Sequence, residues 1–140
     1  MRPADYAKAI LIGMLALGLD LAAATAAIFV YSMMIEPGRS VEYYTAVAPG
    51  IAAWSTRIAG PLLLGGLVYA FSRRRPDRDV WVFALVVWFA YFVLDGAAVG
   101  YRGYFAPVVL MTLMSKLAGA LAGGALASAT APRASEDGRR

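Results

Sequence analysis

Residues 9–35 read AILIGMLALGLDLAAATAAIFVYSMMI, and Asp20 is the only charge among them. A hydrocarbon core about 30 Å thick is crossed by roughly 20 apolar residues in an α-helix. The run is long enough to span. Glu36-Pro37-Gly38-Arg39-Ser40 then gives a turn signal that ends it.

The same pattern recurs along the chain. Residues 46–72 carry only Arg57, residues 80–100 only Asp95, and residues 103–131 only Lys116. The connections are short, which favours antiparallel neighbours. The fold class read from this is an all-α integral membrane protein, with four transmembrane helices arranged as two antiparallel hairpins in one bundle. The transmembrane domain covers residues 1–131. Residues 132–140 are small, polar and charged, and are expected to form a disordered cytoplasmic tail. A signal-peptide reading of the N-terminus fails on Asp20 and on the apolar run continuing to Ile35, so the first helix is expected to be retained.

Composition supports this class. Apolar residues make up 61% and charged residues 16%, against about 45–50% and about 25% in ordinary globular chains. Cys and His are both absent. That excludes disulfides, thiol catalysis, iron–sulfur clusters, the usual zinc sites and bis-histidine haem. No metal, cofactor or catalytic residue is expected, and no enzymatic activity. Eleven Arg against two Lys, with abundant Ala and Gly, is the bias of a high-GC bacterial genome.

The net charge of +4 sits in short segments beside the apolar runs, which points to topology and not to nucleic acid. Arg2, Lys8, Arg73, Arg74, Arg75, Arg78, Arg133, Arg139 and Arg140 fall on one side, and Arg39 and Arg102 on the other. The positive-inside bias therefore puts both termini in the cytoplasm, the protein being multi-pass in the cell inner membrane. Tyr31, Tyr43, Tyr44, Tyr101 and Tyr104 gather at the outer ends of the spans, and Tyr6, Tyr69 and Trp81 near the inner ends, as interfacial belts. Arg73, Arg74, Arg75 and Arg78 are also candidates for anionic lipid headgroups.

The four embedded charges are the candidate site. Left unpaired at the bilayer centre, they would cost on the order of 10–14 kcal/mol. Asp20, Arg57, Asp95 and Lys116 should therefore face the interior and pair, acids on the odd helices with bases on the even ones. Small residues share their helical stripes: Gly13, Ala24 and Ala27 with Asp20, Gly50, Gly60 and Pro61 with Arg57, and Gly119, Ala120 and Gly123 with Lys116. Gly119-x-x-x-Gly123 is a small-xxx-small contact pattern. Pro61 leaves the Arg57 carbonyl without its helical donor, so a kink is expected at Gly60 and Pro61. Trp54, Trp88 and Tyr91 would form an aromatic wall near the acids, with Phe92 on the Asp95 face, while Phe83 and Phe89 face lipid or a partner. Leu19-Asp20-Leu21-Ala22-Ala23 weakly echoes Leu94-Asp95-Gly96-Ala97-Ala98.

In size and plan the chain resembles the small multidrug exporters, which carry a membrane-embedded acid in the first helix, as Asp20 is here. The resemblance covers architecture and that one residue type. The three further embedded charges depart from it, and no family is assigned. Two functions stand open. One is a structural or accessory subunit of a membrane assembly, with the charge quartet locking helix register. The alternative is a small dimeric secondary transporter or channel, with Asp20 and Asp95 as coupling carboxylates. Partners follow from these: the bilayer, a second copy, or other membrane subunits.

Overall fold

The computed structural model describes the backbone of residues 1–75, 78–101 and 107–130. All the regular structure among them is helical: α1 (Pro3–Val30), α2 (Val41–Arg73), α3 (Val80–Tyr101) and α4 (Pro107–Thr130). Among the described residues, four helices are long and apolar enough to cross a membrane, the plan of a multi-pass membrane protein. The expected tail at 132–140 lies outside the described residues, as do Arg102 and Tyr104 of the third connection.

The helices extend past the apolar runs because their ends are capped. Pro3 occupies the first turn of α1, where its missing N–H costs nothing. The Asp5 carboxylate accepts a 3.0 Å hydrogen bond from the Arg2 N–H. α2 begins at Val41, five residues before the expected span, because Ser40 Oγ accepts from the Tyr43 N–H at 3.3 Å. Asp79 caps α3, its Oδ1 accepting from the Trp81 and Val82 N–H groups, each at 3.1 Å.

α1 runs on into a single π-helical turn, Tyr31–Ile35, closed by a 3.0 Å bond from the Glu36 N–H to the Tyr31 carbonyl. Gly38 then takes a left-handed φ of 77°, which a side chain would resist. Tyrosines hold this turn. The Tyr44 hydroxyl lies 2.6 Å from the Glu36 carbonyl, and the hydroxyls of Tyr31 and Tyr43 meet at 3.1 Å. Three residues of the expected outer aromatic belt thus tie this turn to α2.

α1 packs on α2 and α3, and α4 packs on the same two helices, most extensively on α2. Glycines make the α2–α4 contact close. A Cβ added to Gly65 would lie 2.7 Å from the Gly119 carbonyl oxygen, and one on Gly119 or Gly123 would overlap the backbone of Pro61 or Gly65. The small-xxx-small pattern therefore marks a contact within this chain. α2 is one continuous helix through Pro49 and Pro61, and the Gly60-Pro61 pair sits where α2 approaches α4.

The core is apolar, with Ile12, Leu64, Val68, Phe83, Val87 and Leu113 buried. Phe83 was expected to face outward. It is fully buried instead as part of the apolar core, and the Arg78 guanidinium lies 4.1 Å from its ring centroid. The outer surface is apolar too, with Leu11, Phe29, Met34, Leu62 and Met111 exposed. A patch-free polar surface, the norm for a water-soluble monomer, is not what this chain presents.

Candidate functional site

Three of the four embedded charges meet. Asp20 on α1 and Lys116 on α4 form a 2.8 Å ion pair, and both side chains are almost completely buried. Tyr91 on α3 joins them. Its hydroxyl donates to Asp20 Oδ2 at 2.6 Å and accepts a short hydrogen bond from Lys116 Nζ. Asp95, one helical turn beyond Tyr91, brings Oδ2 to 3.9 Å from the same Nζ. That is an ion pair without a direct hydrogen bond. The Asp95 side chain keeps a quarter of its surface exposed.

Glycine on α2 makes room for the lysine. A Cβ at Gly60 would overlap Lys116 Cε and come within 3.2 Å of Cγ and Cδ. The Lys116 stem therefore lies against bare α2 backbone, and its amine is directed at α1 and α3. Trp88 braces α3 against α4 by donating its indole N–H to the Leu113 carbonyl at 3.0 Å.

A cavity of about 180 Å³ opens beside the cluster, ample for several waters or a small cation. Asp20, Tyr91, Asp95 and Lys116 line it, with Thr56 from α2 and Thr112 from α4. Its remaining walls are apolar side chains, among them Leu17, Leu21 and Val109. Asp20 Oδ1 is buried without a hydrogen-bond partner among the described residues. Counted formally, two carboxylates and one ammonium carry one negative charge in excess.

Arg57 departs from the expected quartet. It is exposed and forms no ion pair among the described residues. The physical reason is the α2–α4 contact. Gly60 and Leu64 lie on the same helical stripe as Arg57, but burial on α2 begins only at Gly60, where α4 closes in, and Arg57 lies one turn before that point. Gly50 and Trp54 follow Arg57 outward, Trp54 being 68% exposed. The aromatic wall therefore splits: Trp88 and Tyr91 belong to the site and Trp54 does not.

Sequence reasoning placed Tyr91 only as an aromatic near Asp95. Its role as the bridge between Asp20 and Lys116 was missed, although the Tyr91–Asp95 spacing already puts both on one helical face. A second buried pair was missed as well. Arg78 Nη2 donates to Asp5 Oδ1 at 2.9 Å, tying the start of α1 to the start of α3.

Compared with models of protein families, with curated proteins and with solved structures, the chain matches none.

Proposed function

We propose that this is a small polytopic protein of the cell inner membrane, its helices inserted as two antiparallel hairpins with both termini cytoplasmic, and that it exchanges protons for a small cation at the Asp20–Lys116–Asp95 cluster. The observation that carries this reading is one buried lysine shared by two carboxylates beside a cavity. A purely structural lock would be expected to balance its charges, because an unpaired charge in a low-dielectric interior is costly. Here the surplus is one negative charge. One proton or one monovalent cation neutralises it, and each excludes the other, which is the elementary requirement of exchange. Lys116 is the internal competitor: a cation held by Asp95 and the open oxygen of Asp20 weakens the hold of both on the ammonium.

The test is flux in proteoliposomes under an imposed pH gradient, with sodium, potassium or an organic monoamine as the counter-cation. Wild-type protein should dissipate the gradient faster with at least one of them, and Asp95→Asn should return the rate to that of protein-free vesicles. Wild-type rates no faster than empty vesicles, or an Asp95→Asn variant as fast as wild type, would overturn the reading.

A second reading, an accessory subunit or homodimer, is favoured by Arg57. A lone arginine on the outer face of a membrane-crossing helix costs about 2.5–3.5 kcal/mol on insertion scales. A carboxylate from another subunit, reaching the Trp54–Arg57 face, would offset that cost. The two readings use different faces of the molecule and are compatible.

A further inference from the structure

The cations beside α1 do more than set orientation. A groove of about 420 Å³ runs between the first turns of α1 and the end of α2. Lys8, Arg74, Arg75 and Arg78 line it, and among the described residues no acidic one does. The rest of its lining is apolar: Leu11, Ile12, Leu15 and Phe71. Leu11 and Leu15 continue the apolar surface along α1 and are themselves exposed.

Arg78 distinguishes this groove from a loose run of surface charge. Its side chain is only 4% exposed. One guanidinium nitrogen is bound to Asp5, while Nε and Nη1 are buried with no partner among the described residues. Unsatisfied buried donors on a charged group are costly, and a planar guanidinium matches phosphate oxygens in two-point geometry. Arg78 also lines two adjoining hollows, one with Met1, Arg2 and Asp5 and one with Arg73, Asp79 and Trp81. Arg73 does not line this groove: it donates to the Tyr69 hydroxyl at 3.2 Å.

We infer that this groove is a binding site for one anionic phospholipid, its phosphate held by Arg74, Arg75, Lys8 and Arg78 and an acyl chain lying along Leu11, Leu15 and Phe71. The headgroup site expected at Arg73, Arg74, Arg75 and Arg78 thus exchanges Arg73 for Lys8. The apolar floor selects a lipid over a free phosphate, which would use only the cationic rim. The inference rests on membrane insertion and not on the Asp20–Lys116–Asp95 cluster.

Native mass spectrometry of the full chain in mild detergent tests it, with phosphatidylglycerol, phosphatidylcholine of the same acyl chains, and inorganic phosphate as added ligands. Arg78→Gln alone would break the Asp5 pair and could fail to fold. The informative variant is therefore Lys8→Gln/Arg74→Gln/Arg75→Gln, three exposed positions. Wild-type protein should retain phosphatidylglycerol over phosphatidylcholine, and the triple variant should lose that preference by at least about tenfold. Arg73→Gln should keep it. Equal retention of the two lipids, or equal loss from Arg73→Gln, would overturn the site in favour of a diffuse positive field. Displacement of the lipid by millimolar inorganic phosphate would overturn it in favour of a soluble-anion site.

Discussion

Asp20, Tyr91 and Lys116 form a closed set of three buried groups, and their energetics are asymmetric. A buried ion pair adds little over an apolar replacement, but removing one partner strands the other and costs about 3–5 kcal/mol. Asp20→Asn leaves Lys116 with Asp95, at 3.9 Å, as its one carboxylate partner among the described residues, so a loss in that range is expected. Tyr91→Phe removes a hydroxyl that is hydrogen-bonded to two charged groups, and should cost about 1.5–3 kcal/mol. Asp95→Asn should cost least, because its carboxylate is partly exposed and makes no direct hydrogen bond to Lys116. Thermal unfolding in mild detergent orders the three; an Asp95→Asn loss as large as that of Asp20→Asn would contradict this geometry. At this scale the sequence was informative about residue type and depth. The four charges were expected to pair in the interior; Asp20, Asp95 and Lys116 come together there and Arg57 does not. The role of Tyr91 was hidden because its bonds depend on how far α3 is rotated toward α1.

Between elements, the α2–α4 contact positions the lysine. Gly60, Gly65, Gly119 and Gly123 permit a backbone approach that any side chain would block. Gly119→Leu or Gly123→Leu should therefore destabilise by about 1–3 kcal/mol or more through overpacking. Gly60→Ala should do the same and also displace the Lys116 stem, lowering flux beyond its effect on stability. Gly66 is the control. Nothing lies within 4 Å of a Cβ there, so Gly66→Ala should be neutral or stabilising by up to about 1 kcal/mol, the helix-propensity difference. Paired melting curves and flux rates check the series. The glycine spacing was visible in the sequence. The partner of Gly119 and Gly123 was not, since the same pattern serves a contact within one chain or between two.

For the whole molecule, the outer face of α2 decides between a lone protein and an assembly. Arg57 and Trp54 stand exposed there, beside an apolar groove lined by Trp54, Ile58, Leu62 and residues of α1. If a second copy or another subunit covers Arg57, native mass spectrometry of gently extracted protein should show a stoichiometric complex, and Arg57→Leu should dissociate it. If Arg57 faces lipid, the protein should be monomeric, and Arg57→Leu should favour insertion by about 2.5–3.5 kcal/mol. A complex unaltered by Arg57→Leu would separate assembly from this residue altogether.

Four apolar runs, each with a single charge, were enough by themselves to determine the helical class, the number of helices and their capacity to cross a membrane. Those properties depend on length and on local composition, which a linear sequence states directly. The caps at Asp5, Ser40 and Asp79 are equally local. Only the tertiary structure decided which charges meet. A helix shows every residue on some face, and the face turned inward is set by the tightest packing available. On α2 that packing, of Gly60, Pro61 and Gly65 against α4, begins one turn past Arg57 and so leaves it exposed. It turns an expected balanced quartet into two carboxylates sharing one lysine, and so changes the charge of the site.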